Sequence, residues 1–138
     1  MKPQTIAFLA KGSELLERAP ALLAQNFADE AGRAAYLAGF HTVQAFLFEK
    51  IGRSPKTHNG VQTEFARLTK DEPAVDREVR AFLSRTYNLK AIADYETGPG
   101  SKVTHQQAAE AIEAAKLFVR TVTALIADDT ANNSSPTG

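Results

Sequence analysis

Apolar residues recur at three- and four-residue steps along almost the whole of this 138-residue chain. Such a period places apolar side chains on one face of an α-helix, and no segment alternates apolar and polar residues as a β-strand would. A chain of this length suits a single domain. We therefore expect an all-α fold, an antiparallel up-and-down bundle of about five helices with short connections.

Proline and glycine divide this pattern into segments. Pro20 is expected to end or kink the first helix near Arg18, because proline removes a backbone hydrogen bond. The second helix is expected to begin within residues 26–29 and to end near Ile51, where Gly52 breaks it. It carries two apolar stripes and is therefore expected at the centre of the bundle. The stripes comprise Tyr36, Phe40, Val43 and Leu47, and beside them Leu37, His41, Ala45 and Phe48.

Capping residues indicate where the later helices start. Ser54 followed by Pro55 is typical of an N-cap and a first helical residue, so the third helix is expected to begin there. The fourth is expected from about residue 74 to residue 95. Thr104 with Gln107 forms a capping-box pattern that opens the fifth helix.

Composition and charge limit the possible classes of function. Sixteen basic and sixteen acidic residues cancel, so nucleic acid is not attracted by the charge of the whole protein. The absence of cysteine excludes disulfides and thiolate metal sites. No apolar run approaches the roughly 20 residues that span a bilayer, and no signal peptide is visible, so we expect a cytoplasmic protein without membrane contact. We assign the bundle to residues 1–127 and expect the small, polar residues 128–138 to form a disordered tail.

The three histidines differ in their expected roles. His105 falls in the first turn of the fifth helix and is expected to be exposed and inert. His41 is expected to be a core or interface histidine with one hydrogen bond. The histidines are far apart in sequence and no glycine-rich phosphate loop is present, so we expect neither a metal nor a cofactor.

The segment from Arg53 to His58 is the candidate for chemistry. Both side chains are expected at the start of the third helix, where free N–H groups favour an anion. Arginine offers a planar fork for phosphate oxygens, and histidine can transfer a proton near neutral pH. Lys50 and Lys56 add a local basic cluster, for which a solvated helix end is the alternative interpretation. Gly60 would let another chain or helix approach closely.

These groups suit RNA cleavage without a metal. A base takes the 2′-hydroxyl proton, the oxygen attacks phosphorus, a cation stabilises the charge, and an acid protonates the leaving 5′ oxygen. One histidine cannot easily serve both ends of an in-line reaction, whereas two copies in a symmetric dimer could. A plain polar loop is the alternative.

Four parts of the chain resemble HEPN domains, a small helical family found with nucleotidyltransferases and in many RNA-cleaving toxins. The string from Ala35 to His41 resembles the second helix of that family, and Pro55 to Val61, followed by Phe65, resembles its motif region. Residues 93–95 and 118–119 resemble its late helices. The resemblance covers roughly residues 10–126.

The resemblance implies a function and partners. The family's ribonuclease motif is an arginine and a histidine separated by four to six residues, and Arg53 and His58 match it with four between. It implies a homodimer in which both motifs face a shared cleft, and metal-free cleavage of RNA that leaves a 2′,3′-cyclic phosphate. The implied partner is a nucleotidyltransferase antitoxin encoded next door.

Three positions depart from the family pattern. Ser54 follows the arginine, where active members often have Asn, Asp or His. Gly60 stands where some toxins carry a tyrosine that the partner modifies with AMP. Lys90 stands four residues before Asp94, where arginine is frequent, and an ion pair between the two is still expected.

Two hypotheses follow. The first is an endoribonuclease toxin in which Arg53 stabilises the phosphate, His58 is the general base or acid, and Ser54, Lys56 and Asn59 hold the RNA backbone. The second is a non-catalytic HEPN module that binds a nucleotide or docks a nucleotidyltransferase, which Ser54 favours. A purely structural helical role would leave Arg53 and His58 pointing apart.

Overall fold

Five α-helices make up the computed structural model, which describes residues 1–95 and 102–134 and the side chains of those up to residue 130. They are α1 (Pro3–Ala24), α2 (Ala28–Ile51), α3 (His58–Leu68), α4 (Arg77–Tyr95) and α5 (His105–Ser134). No strand occurs within those described ranges. The predicted all-α fold of about five helices is confirmed. Residues 97–101, which the sequence predicts to be rich in turns, lie outside the described part.

Polar contacts near the helix ends show that α1 and α4 both run opposite to α2. The backbone N–H of Lys2 donates to Glu49 Oε1 at 3.0 Å, which joins the start of α1 to the end of α2. Arg33 Nε lies 3.2 Å from Asp94 Oδ1, which joins the start of α2 to the end of α4.

Two further contacts show that α5 runs in the same direction as α2. The N–H of Val103 donates to Asp29 Oδ1 at 2.8 Å near the start of both helices. Lys50 Nζ lies 3.2 Å from Asp129 Oδ2 near the end of both. The four long helices therefore alternate in direction around the bundle, with α2 and α5 on a diagonal and the short α3 at the side of α2.

The predicted central position of α2 is confirmed, since it packs against each of the other four helices. The stripe of Tyr36, Phe40, Val43 and Leu47 is buried. Gly52 ends the helix with φ of 74° and donates its N–H to Phe48 O at 2.8 Å. This left-handed conformation favours glycine, so the predicted break at residue 52 has its expected cause.

Pro20 does not end the first helix near Arg18, so that part of the expectation is wrong: α1 continues through the proline to Ala24. Ala19 is fully buried, and Leu22 and Leu23 pack against the core on the far side of the proline. A fully buried leucine contributes about 1.5–3 kcal/mol, and these two partly buried leucines each contribute a share of that. This burial offsets the roughly 3 kcal/mol that an interior proline costs.

The fourth helix starts later than the sequence predicts, whereas the fifth starts where the sequence predicts. The first turn of α4 begins at Arg77 rather than near residue 74, because Asp76 Oδ1 accepts the N–H of Val79 at 3.0 Å and acts as a cap. The fifth helix opens with the expected capping box, in which Thr104 Oγ1 accepts the N–H of Gln107 at 3.0 Å.

The fifth helix also extends past the assigned domain end at residue 127, as far as Ser134. The buried Ile126 and the ion pair of Asp129 with Lys50 hold this last part against α2. The helix therefore includes residues 128–134 of the expected tail, while residues 135–138 lie outside the described part. None of the helices described here is long and apolar enough to cross a membrane.

Gly39 is expected to tolerate no side chain. A Cβ there would overlap the ring of Phe82 and lie 3.2 Å from Phe118 Cδ1, and these two rings stack with centroids 4.4 Å apart. Overpacking of this kind costs about 1–3 kcal/mol, so Gly39→Ala is expected to lower the free energy of unfolding by that amount in urea denaturation.

Gly32→Ala is the matched control in the same helix. Its Cβ would meet Val103 at 3.5 Å, an ordinary contact. The better helix propensity of alanine is expected to stabilise that variant by up to about 1 kcal/mol. Equal unfolding free energies for the two variants would contradict the packing argument.

Candidate functional site

The third helix is capped by Thr57, and the expectation that Ser54 caps it is wrong. Thr57 Oγ1 accepts the N–H of Gly60 at 3.0 Å, so the helix begins at His58 and not at Pro55. The N–H groups of His58 and Asn59 donate no hydrogen bond within residues 1–95 and 102–134. His58 keeps its expected place in the opening turn, next to free backbone donors.

Gly60 makes this cap possible. A Cβ at residue 60 would lie 2.8 Å from Pro55 Cβ and 2.9 Å from Thr57 Oγ1. The close approach expected at Gly60 is therefore made by the loop that precedes the helix. A side chain at this position, tyrosine included, would displace the loop that carries Arg53.

One side chain of α2 holds that loop, and a second hydrogen bond is made within the loop itself. Gln44 Nε2 donates to Pro55 O at 3.1 Å, and Ser54 Oγ donates to the same oxygen at 3.0 Å. His41 Nδ1 lies 2.8 Å from Gln44 Oε1 and fixes the amide from behind. The single hydrogen bond expected of His41 is confirmed, but its side chain is half-buried and not part of the core; its partial burial lowers its pKa.

Two tyrosines from different helices hold the imidazole of His58. The hydroxyl of Tyr36, from α2, lies 2.9 Å from Nδ1. The ring of Tyr87, from α4, stacks on the imidazole with centroids 3.9 Å apart and an interplanar angle of 16°. His58 is half-buried between them.

Sequence reasoning did not identify either tyrosine as part of the site. Tyr36 was placed on the core stripe of α2, where a tyrosine that is only 3% exposed must find a partner for its hydroxyl. That need was a usable signal, although it named no partner. Tyr87 lies outside the apolar stripe of α4, and nothing in the sequence pointed to it.

Burial shifts the pKa of both hydrogen-bonded groups. Desolvation lowers the pKa of His58, and hydrogen bonding of the imidazole to the Gln62 side chain opposes the shift. Burial, with a contribution from Tyr87, raises the pKa of Tyr36 far above its usual range. Near neutral pH, Tyr36 is therefore protonated and His58 is mainly uncharged.

The basic cluster is smaller in the structure than in the sequence. Lys50 is paired with Asp129 and lies 5.9 Å from the ring centroid of Phe46. Arg53 and Lys56 are exposed, and neither forms an ion pair with any other described residue. Two cations of the three therefore remain available to an anion.

An open groove of about 690 Å³ lies beside His58, within the size range of small-ligand sites. Gln62 and Ser84 are joined across it by a hydrogen bond of 2.7 Å. Asn59 shares this groove with His58, whereas Arg53, Ser54 and Lys56 belong to the loop before it. The groove is lined by His58, Asn59, Gln62, Thr63, Ala66, Ser84, Tyr87 and Asn88.

The chain repeats the start of α3 at the start of α5. His105, like His58, is the first residue of its helix and follows a threonine cap. His105 is exposed and has no ring contact or hydrogen bond within the described chain. The expectation that it is exposed is confirmed, so the same local pattern produces two different histidine environments.

The predicted ion pair of Lys90 with Asp94 is confirmed at 2.8 Å. Arg33 also approaches Asp94, at 3.2 Å. Hydrogen bonding to Asp94 raises the pKa of Lys90. This cluster joins α2 to the end of α4, which carries Tyr87, and so helps to fix the helix that stacks on His58.

Residues 7–125 match the family model of the HEPN domain. The match covers most of the chain, so the protein belongs to the HEPN family. The matched residues include α2, α3 and α4 in full, most of α1 and α5, and the whole segment from Arg53 to His58. The resemblance inferred from the sequence is confirmed.

Two proteins of Methanocaldococcus jannaschii are similar to this chain. Putative toxin MJ0605 is 31% identical over 113 residues, which cover 82% of this chain and 81% of that protein. Putative toxin MJ0142 is 31% identical over 88 residues, which cover 64% of this chain and 59% of that protein.

Folding stability is expected to fall as the pH drops below about 6.5, the pKa of histidine in an unfolded chain. Burial lowers the pKa of His58 in the folded protein. Between the pKa of His58 in the folded protein and its pKa in the unfolded chain, the unfolded chain binds more protons, so lowering the pH favours unfolding. Above both pKa values, the contribution of His58 to the free energy of unfolding is constant. His58→Gln is expected to weaken this pH dependence, measured by urea denaturation at pH 7.5 and pH 5.5.

His105→Gln is the control, because it makes the same substitution at an exposed position. The residual dependence in His58→Gln is expected to have the same sign, since the pKa of His41 is also lowered. An unchanged pH dependence in His58→Gln would contradict the assignment.

Proposed function

We propose that this HEPN protein is a metal-independent endoribonuclease that acts as a toxin. The observation that carries the proposal is the environment of His58. Of two histidines at the same helical position, only His58 is held by a tyrosine hydroxyl at 2.9 Å and by a stacked ring, and it alone borders the groove of about 690 Å³. An inert surface histidine has no need of such support.

The neighbouring groups suit a phosphodiester. Arg53 is exposed and without an ion pair in the described chain, so its planar fork is available to phosphate oxygens. Lys56 adds a second free cation and Asn59 a polar contact to the RNA backbone, whereas Ser54, whose hydroxyl proton is donated to Pro55 O, can only accept a hydrogen bond there. The free N–H groups at the start of α3 favour the same negative charge.

The proposed reaction is attack of the 2′-hydroxyl oxygen on the adjacent phosphorus. Arg53 stabilises the charge that develops on the phosphate as the P–O5′ bond breaks. One copy of His58 takes the 2′-hydroxyl proton as the base, and a second copy protonates the leaving 5′ oxygen as the acid. The products are a 2′,3′-cyclic phosphate and a free 5′-hydroxyl. Because one histidine cannot easily serve both ends of an in-line reaction, we propose a homodimer whose two motifs share one cleft.

The groove also offers a surface for an unpaired base. Tyr87 is 36% exposed, and polar side chains surround it. Aromatic stacking of unpaired bases is a common basis of single-strand RNA recognition, worth about 1–3 kcal/mol per base. This favours single-stranded RNA over a duplex as substrate.

The similarity to two proteins described as toxins supports the biological role. We propose that a nucleotidyltransferase-type antitoxin restrains the activity. Since Gly60 leaves no room for a side chain beside Pro55 and Thr57, modification of a tyrosine at this position is not the means. Direct docking over the site is the proposed mode of neutralisation.

Purified protein is expected to degrade single-stranded RNA in the presence of EDTA. His58→Ala is expected to lower the rate about a hundredfold or more, the usual contribution of a general acid–base group. His105→Ala is the matched control, because it removes the other helix-starting histidine, and it should leave the rate unchanged. Equal activity of the folded wild-type and His58→Ala proteins would exclude a catalytic role.

Arg53 provides a second, independent test. Arg53→Ala is expected to reduce the rate strongly, and Arg53→Lys to restore only part of it, because lysine keeps the charge but lacks the fork. Arg120→Ala removes an exposed arginine of α5 that forms no ion pair with the described residues, and it serves as the control. The proposal fails if Arg53→Ala and Arg120→Ala cleave RNA equally fast.

The alternative is a non-catalytic module that binds a nucleotide or docks a nucleotidyltransferase. One observation favours it: the hydroxyl proton of Ser54 is already donated to Pro55 O, so it is not free for a phosphate. Calorimetric titration with nucleotides, and growth of cells expressing the protein, distinguish the two functions. Nucleotide binding or a stable nucleotidyltransferase complex, without RNA cleavage or toxicity, would support the alternative.

A further inference from the structure

The hydroxyl of Tyr36 has one polar neighbour. It lies 2.9 Å from His58 Nδ1, and no other hydrogen bond is made by this hydroxyl in the described chain. Of the rings around it, Phe40, at 5.7 Å between centroids, has no hydrogen-bonding atom, and Tyr87, at 5.5 Å, makes no hydrogen bond with Tyr36 in the described chain. The two partners must therefore satisfy each other.

Only one of them can be the donor when His58 is neutral. If the phenol donates, Nδ1 accepts and the ring proton is on Nε2. If Nδ1–H donates instead, the phenol proton is left buried without an acceptor, which costs about 1–3 kcal/mol. Tyr36 keeps its proton near neutral pH, because burial raises the pKa of the phenol. The first arrangement is therefore favoured.

We propose that Tyr36 is a positioning residue that holds neutral His58 in the tautomer protonated on Nε2, so that the imidazole presents a hydrogen-bond donor to the groove. This inference rests on the proposed ribonuclease function for its consequence. In that reaction it places His58 beside Arg53, as a group that donates to phosphate or leaving-group oxygens. In the proposed dimer this tautomer suits the copy of His58 that acts on the leaving oxygen, whereas the copy that acts as the base must first lose the hydrogen bond from Tyr36, so that Nδ1 can take a proton.

The other side of the imidazole agrees with this arrangement. The interaction of His58 with the Gln62 side chain raises the pKa of His58 against the effect of burial, and Gln62 Nε2 is already donating to Ser84 Oγ at 2.7 Å. The amide oxygen of Gln62 is left to accept, and it requires a donor on the ring. An N–H on Nε2 meets that need, and a substrate oxygen can take the place of the amide oxygen.

The tautomer can be measured without RNA. Long-range ¹H–¹⁵N spectra of the full-length protein, recorded above the pKa of His58, are expected to assign the bare nitrogen to Nδ1 in the wild type. Tyr36→Phe removes the donor, so its His58 is expected to show a mixture of tautomers, while His105 stays unchanged as the internal reference. A proton on Nδ1 in the wild type, or identical spectra for a folded Tyr36→Phe, would overturn the proposal.

Kinetics test the donor role separately. His58→Gln keeps an N–H donor but cannot accept a proton at neutral pH, so it is expected to cleave RNA at least about tenfold faster than His58→Ala, the factor that one hydrogen bond is worth. Equal loss in both variants would reject the donor role. Tyr36→Phe is expected to lower kcat with little change in KM.

The pH dependence of the cleavage rate distinguishes a neutral hydrogen-bond donor from a general acid at His58. As a neutral donor, His58 predicts a rate that rises through its pKa and then stays level, whereas a general acid predicts a fall on the alkaline side. If the wild type shows the expected tautomer and yet cleaves no RNA, the ribonuclease proposal fails while the role of Tyr36 in setting the tautomer stands.

Discussion

The architecture depends on how closely other helices approach α2. A Cβ on Gly12 of α1 would lie 2.8 Å from both Ala38 O and Thr42 Oγ1, so α1 contacts the backbone of α2 almost directly. On another side, Gly39 receives the stacked rings of Phe82 and Phe118. A helix in contact with four others has no freedom to shift, because protein interiors are close-packed. Whatever α2 carries toward the candidate site is therefore held rigidly.

Two side chains of α2 use this rigidity. Tyr36 holds His58, and Gln44 holds the carbonyl of Pro55. They are eight residues apart, or about 12 Å along a helix. The connection between α2 and α3 is therefore held by two side chains of the same rigid helix, α2. Arg53 lies between Gly52, whose N–H is bonded to Phe48 O, and Pro55, so its Cα is constrained although its side chain is free.

The sequence was sufficient for the helices and insufficient for some of their ends. The period of α2 identified both its extent and its central place, and the capping box at Thr104 marked the start of α5 correctly. The start of α3 was misplaced because Ser54 and Thr57 both suit an N-cap. Contacts from outside the segment decide which of the two residues caps the helix, because Gln44 donates a hydrogen bond to the carbonyl of Pro55. The predicted helix end at Pro20 is wrong for a related reason: packing of residues on both sides of the proline against the core offsets the free-energy cost of a proline inside a helix.

Only the residues of the candidate site that lie close together in sequence could be predicted. The spacing of Arg53 and His58 and the family resemblance named the two residues, and their joint action in catalysis is still a prediction. Tyr36 and Tyr87 lie 22 residues before and 29 residues after His58 in the chain, so only the tertiary fold brings them together. Local sequence also fails to separate His58 from His105, because both follow a threonine cap at a helix start. The difference between them is made entirely by what packs against the ring.

The ion pair of Lys50 with Asp129 and the hydrogen bond of Lys2 with Glu49 place both ends of the bundle's chain beside the loop that carries Arg53. Any polypeptide attached ahead of α1 begins its path there, close to the candidate site. A fusion partner or affinity tag would then act as a tethered obstruction to a large substrate such as RNA, with a local concentration set by linker length. The opposite end of the bundle, where α1 turns into α2 at residues 25–27, is the place for an attachment that leaves the approach open.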